Sequence, residues 1–157
     1  MNKWGERSLE VYETVDPVLQ HYLDRALQEV ADISLICGHR GQVEQNAAYY
    51  AVPQRSKVQW PNGKHNQFPS KAVDFQPYPM PDSEHKLWAS LAYVAGRIIQ
   101  MAAADGVEIR WGGDWNSNGD LTDQNFDDLF HLEIVESSNE STGSNNDSRT
   151  RPARYGS

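Results

Sequence analysis

Apolar positions first recur with helical spacing after Asp16-Pro17, where Val18, Leu19, Tyr22, Leu23, Ala26, Leu27 and Val30 fall on one face. Asp at the cap and Pro in the first turn favour a helix start there. Ile33–Cys37 is a short β-rich run that stops at Gly38. Gln42–Ala51 has helical character, with Val43, Ala47 and Tyr50 expected on its inner side. Residues 53–70 are rich in Pro, Asn, Gly, Lys and Ser and read as a long loop. Lys71–Pro77 reads as a strand closed by a Pro-rich turn. Asp82 or Ser83 can then cap a long helix whose inner face carries Leu87, Leu91, Val94, Ala95, Ile98 and Ala102, with Gly106 as its stop. Two runs of alternating character follow, Val107–Trp111 and Phe130–Val135, separated by a Gly-, Asn- and Asp-rich loop over 112–128.

This order predicts an α+β domain, helices packed on a small, mainly antiparallel sheet. The domain is expected to span 1–136. Residues 137–148 carry no apolar side chain, so 137–157 read as a flexible polar tail. Composition narrows the class. With 157 residues, 38% of them hydrophobic, one ordinary domain is expected. The balance of 22 acidic against 14 basic residues, net −8, lacks the basic footprint of a nucleic-acid binder. The long uninterrupted apolar run of a membrane span is missing, as is an apolar stretch behind the N-terminus of the kind a secretory signal needs. The single cysteine, Cys37, cannot form an internal disulfide.

The five histidines divide by context. His21 and His85 sit on polar helix positions and are expected at the surface. His65 and His131 border the two long loops and adjoin strands. Asp74 is placed mid-strand on a face with Ala72 and Gln76, and His131 shares its face with Glu133 and Val135. A carboxylate inside an apolar strand is costly unless paired or metal-bound. Two histidines and one aspartate form a usual catalytic zinc set, leaving a position for water. Asp128, three residues before His131, is placed to move the proton of that water. On spacing alone, a hydrogen-bonded core cluster fits as well as a metal site.

Three segments carry a family resemblance. Gly63-Lys64-His65-Asn66-Gln67-Phe68-Pro69-Ser70-Lys71-Ala72-Val73-Asp74-Phe75 resembles the first zinc motif of the LAS-type metallopeptidases. That group includes D-Ala-D-Ala carboxypeptidases and phage L-alanyl-D-glutamate endopeptidases. Trp111-Gly112-Gly113-Asp114-Trp115 followed by Asp128-Leu129-Phe130-His131-Leu132-Glu133 resembles the second motif of the phage endolysin branch. Gly38-His39-Arg40 with Glu44-Gln45 and Tyr49 resembles its upstream segment. The three together span roughly residues 35–135, in the family's order.

The resemblance implies a Hedgehog/DD-peptidase-like fold, with His65, Asp74 and His131 as zinc ligands and Asp128 as catalytic acid/base. Arg40 matches the arginine that binds a substrate carbonyl or carboxylate, against a purely structural salt bridge as the alternative. His65 and Asp74 are nine positions apart where many members have seven, and Leu132 stands where phenylalanine is common. The implied activity is zinc-dependent hydrolysis of the L-Ala-D-Glu bond in peptidoglycan stem peptides, causing host lysis. Asp128 takes a proton from the attacking water and returns it to the leaving amine. The implied setting is a monomer in the host cytoplasm that reaches the wall through a holin, without membrane insertion. The alternatives are a D,D-carboxypeptidase on the same scaffold, or a catalytically idle wall-binding or virion protein.

One further motif stands apart. Asp114, Asn116, Asn118 and Asp120, with Gly119, follow the first half of an EF-hand loop, and Asp123 or Asp127 can close it in a non-standard way. Asn125 occupies the place of the usual closing Glu, so an Asx-rich turn is the competing reading of the same residues. Ca2+ is thus a second candidate cofactor beside Zn2+.

Overall fold

A computed structural model of the chain describes residues 1–136. The expected polar tail, 137–157, with its three arginines, lies outside the described residues. Helix α1 (Glu6–Tyr12) leads into α2 (Pro17–Glu29), β1 (Ile33–Cys37) and α3 (Gln42–Tyr49). A single 3-10 turn at Lys64–Asn66 interrupts the long loop. Strand β2 (Ala72–Pro77), helix α4 (Glu84–Ala104) and strands β3 (Ile109–Gly112) and β4 (Asp128–Ile134) complete the domain. The sheet order is β1-β2-β4-β3, with every neighbouring pair antiparallel, so the α+β architecture is as the sequence implied.

Local chemistry sets the ends of the elements. The Asp16 carboxylate accepts the Val18 N–H at 2.8 Å and binds Lys71 Nζ at 2.7 Å, fixing the start of α2 to the approach of β2. Gly106, at φ +75, ends α4 as expected, and Val107 N–H returns to the Ala102 carbonyl. Ser83 stands at the cap position of α4 but its hydroxyl makes no cap bond, and Asp82 pairs with Lys86 instead.

The core lies on one face of the sheet. Leu19, Leu23 and Leu27 of α2 and Leu91, Val94, Ile98 and Ala102 of α4 meet Val73, Phe75, Trp111 and Leu132 from the strands. Helix α4 is long and apolar enough to pass for a membrane span by length and composition. Its apolar face is used in this core.

Two expectations are corrected. Helix α1 was not foreseen; its only fully buried residue is Ser8, whose hydroxyl accepts the Leu35 N–H at 3.1 Å, so it carries little apolar signal. Helix α3 does not bury Val43, Ala47 and Tyr50. All three are exposed, and Gln45 and Ala48 point inward. The reason is polar: the cavity side of α3 is lined by hydrogen-bonding groups, and Gln45 serves them.

Candidate active site

The opposite face of the sheet floors an open cavity of about 930 Å³. Antiparallel register lays Cys37, Asp74 and His131 in one row across β1, β2 and β4. His65 reaches the same row from the 3-10 turn. His65 Nε2 lies 3.2 Å from Asp74 Oδ1 and 3.1 Å from His131 Nδ1, and His131 Nδ1 lies 3.3 Å from the same Asp74 oxygen. Three donor atoms thus form a nearly equilateral triangle.

The outer nitrogens of both rings are committed. His65 Nδ1 donates to the Gly38 carbonyl at 2.7 Å, and His131 Nε2 donates to Glu133 Oε1 at 2.9 Å. In the neutral tautomers so fixed, both inner nitrogens aim lone pairs at the centre, where the Asp74 oxygen also points. Such a gathering of acceptors requires a cation or protons. Burial pushes the His65 imidazole down, but its hydrogen bonds to Asp74 and Cys37 outweigh this and hold it up to about 10. The His131 imidazole is raised in the same way, burial being outweighed by Asp74 and Glu133. Burial favours neutral Asp74, yet the two histidines hold its carboxyl well below the usual range.

The triangle fits zinc. Ligand bonds of about 2.0–2.2 Å at tetrahedral angles place donors roughly 3.3–3.5 Å apart, and the observed edges are 3.1–3.3 Å. Nitrogen, nitrogen and carboxylate oxygen are suitable donors for that ion. Cys37 Sγ lies 3.9 Å from His65 Nδ1, the nitrogen that already serves Gly38, and within 4.8 Å of an Asp74 carboxylate oxygen, so it borders the triangle as a further candidate donor.

Asp128 opens β4, with its carboxylate within 4.8 Å of the donor atoms of Asp74 and His131. Burial, then the Asp74 charge, push its carboxyl above the ordinary range. Its position depends on Gly112, its partner in register beside a bulge: a Cβ there would collide with the Asp128 carbonyl oxygen. Arg40 Nη2 stands 3.9 Å from Asp74 Oδ2, too long for a tight pair, while Nη1 donates to Gln45 Oε1 at 3.2 Å. Its guanidinium therefore lines the cavity beside the donor triangle.

All five residues singled out from the sequence are thus brought together. Sequence reasoning missed four supporting groups. Glu133 takes both His131 and, at 2.9 Å, Arg110 Nη2; burial raises its carboxyl, but these two partners hold it down at about 2. Its place on the His131 face was the available signal. Gln45, 1% exposed, bonds Arg40, Asn66, Ser56 and Val58. Trp115 lies with its ring centroid 5.5 Å from that of His131 and ties its indole N–H to the Phe126 carbonyl. Cys37 is the fourth. His21 and His85 are at the surface.

The Asp- and Asn-rich loop is held by its own bonds. Asp114 accepts the Asn118 and Gly119 N–H groups, Asn116 and Asn118 donate to Asp123, and Asp120 accepts from Thr122. Asp114, Asn116, Asn118 and Asp123 are thus tied into an Asx-rich turn, while the Asp120 carboxylate turns to Thr122.

No curated protein sequence matches the chain. Among solved structures, the fold resembles that of the Serratia marcescens L-Ala D-Glu endopeptidase ChiX, with a TM-score of 0.61 over 83% of this chain and 87% of that one. Identity to it is 22%, so the likeness speaks for the fold. The family comparison reaches further: residues 1–135 match phage L-alanyl-D-glutamate peptidase, and the chain belongs to that family.

Proposed function

We propose that this phage-type L-alanyl-D-glutamate peptidase works as a zinc enzyme, with His65, Asp74 and His131 as ligands, Asp128 as acid/base and Arg40 as a substrate-binding residue. The observation that carries the proposal is the triangle of inward-facing donors, each histidine locked from behind by Gly38 or Glu133. Without a metal, protons on the inner nitrogens would satisfy the same triangle as hydrogen bonds to Asp74, so zinc is supported by the donor set and its spacing together with the family. Zinc held there would supply Lewis acidity toward the scissile carbonyl and make a bound water acidic near neutral pH.

The chain's own residues do the rest. Asp128, at the cavity edge of the triangle, accepts the proton of the attacking water and delivers it to the departing D-Glu amine. Its burial beside Asp74 favours a carboxyl able to hold that proton between the two steps. Arg40 turns its guanidinium toward the cavity, where it can accept the charge that develops on the carbonyl oxygen. Gln45 and Asn66 fix Arg40 from its other side.

Peptidoglycan is the substrate this family implies. Digestion of purified sacculi, with mass analysis of the fragments, tests the reading. New L-Ala carboxyl and D-Glu amino ends that vanish with a zinc chelator are expected. Release of free D-Ala would move the protein to the carboxypeptidase reading, and bound zinc without cleavage to an idle wall-binding one. Access to the wall through a separate holin is part of the same proposal. Calcium in the 114–123 loop is a second, separable one, supported by the EF-hand-like spacing of Asp114, Asn116, Asn118 and Asp120. Calorimetric titration of calcium into zinc-loaded protein should give heat, and its absence removes that ion.

A further inference from the structure

The cavity carries further cationic lining besides Arg40. The segment 54–58 crosses it as a strap pinned in the middle. Arg55 and Ser56 N–H groups both donate to the Ala48 carbonyl, at 3.0 and 3.1 Å. The Ser56 hydroxyl accepts from Gln45 Nε2 at 2.9 Å, and the Val58 carbonyl accepts from the same nitrogen. Gln45 Oε1 takes Arg40 and Asn66. All four hydrogen-bonding positions of this buried amide are therefore used, and they hold the strap in fixed relation to Arg40.

With Ser56 turned in to Gln45, its neighbours Arg55 and Lys57 line the cavity. Among the described residues neither has a carboxylate within 4.0 Å. Lys57 Nζ rests 5.3 Å from the Phe126 ring centroid, a contact that positions an ammonium without neutralising it. With Lys64 of the 3-10 turn, which also lines the cavity and likewise has no carboxylate within 4.0 Å among the described residues, Arg55 and Lys57 make three uncompensated cations in a chain of net charge −8. Arg40 does not serve the same purpose, since Asp74 lies on its inner side.

The substrate class offers a matching charge. A glutamyl residue acylated on its amine, and carrying the chain onward through one carboxyl, keeps the other free. The L-alanine side brings only a methyl group. We propose that Arg55 and Lys57 form a carboxylate-reading subsite for the free carboxyl of the D-glutamyl residue, and so set a preference for stem peptides in which that carboxyl is not amidated. The proposal rests on the cavity being the peptide site of the activity above.

The test uses the zinc-loaded full chain and two purified disaccharide-peptides that differ only in free carboxylate or carboxamide at D-Glu. The wild-type protein should favour the acid by about tenfold in KM, since partly exposed charged contacts contribute roughly two- to fivefold each. The preference should shrink with added salt. Arg55→Gln/Lys57→Gln should lose it, with kcat on either peptide little changed, while Arg55→Lys keeps it. Arg55→Glu/Lys57→Glu should favour the amide. Both side chains are exposed, so unfolding temperatures should match wild type. Equal loss on both peptides, or an unaltered preference in the double variant, overturns the subsite. Cleavage of neither peptide by wild type overturns the activity on which it depends.

Discussion

Glu133 is the residue whose replacement best separates the metal site from ordinary stability. Its two oxygens divide their work, Oε1 receiving His131 Nε2–H and Oε2 receiving Arg110 Nη2–H, each at 2.9 Å. Glu133→Gln leaves one acceptor for two donors. If the amide oxygen stays with His131, its NH2 opposes Arg110, whose Nε is already buried without a partner. If it turns to Arg110, the NH2 faces His131 Nε2 and drives the ring proton to Nδ1, the nitrogen that must bind metal. Arg110 is about one-third exposed and can move toward water, so the first arrangement should prevail. Groups that orient metal ligands are worth about 10–100-fold in affinity. Glu133→Gln should therefore weaken zinc binding by about tenfold, and Glu133→Ala by about 100-fold, or roughly 1.4 and 2.7 kcal/mol. Competition with a chromophoric chelator at pH 7.5 measures both. Turnover at saturating zinc should stay within a few-fold of wild type in the Gln variant. Wild-type zinc affinity in the Ala variant would refute the idea that Glu133 selects the metal-facing nitrogen.

The other predictions concern the base, the His65 anchor and protons. Asp128→Ala should keep zinc and lose about 10²–10⁴-fold in kcat, the range of a general acid/base; near-normal turnover would remove Asp128 from that role. Gly38→Ala places a Cβ against Thr14 Oγ1 and the Val11 carbonyl, so it should destabilise the fold by about 1–3 kcal/mol in urea melts and loosen the carbonyl that orients His65. The metal-free protein should lose stability at both ends of the pH scale. Glu133, depressed to about 2 from 4.5, stabilises fully above 4.5, and that contribution disappears as pH falls through about 2. His65, raised to about 10 from 6.5, stabilises fully below 6.5, and its contribution disappears as pH rises through about 10. Because zinc must displace that proton, binding at pH 7.5 should release at least one proton, read from calorimetry in buffers of different ionisation enthalpy.

Much of this site was legible because its chemistry uses residues that are expensive to bury. Asp74 within an apolar strand, and His131 at the polar phase of another, call for an explanation from the sequence alone. What the sequence did not show was the side of α3 that faces inward. Helical periodicity weighs Val43 and Tyr50 above Gln45, yet a glutamine with four partners is at home in a polar wall. Helix α1 was hidden because it is only seven residues long and fully buries only Ser8, with Val11 and Tyr12 half-buried against the core. Arg55 and Lys57 gave no periodic signal at all, and only the strap that pins Ser56 shows where they lie.

Asp74 and His131 face each other across the two central strands, whereas Asp128 stands where β4 emerges from the 113–127 loop. Two of the three proposed metal ligands are therefore built into the part of the domain that opens last, the third, His65, being tied to Gly38 from the 3-10 turn, while the proposed acid/base stands in a part that can fray separately. Hydrogen exchange at the Asp74 and His131 amides should approach the rate of whole-domain opening, while that near Asp128 runs ahead. If the proposed zinc site is filled, gentle heating should silence the protein before the ion is lost, and activity should recover on cooling without reloading.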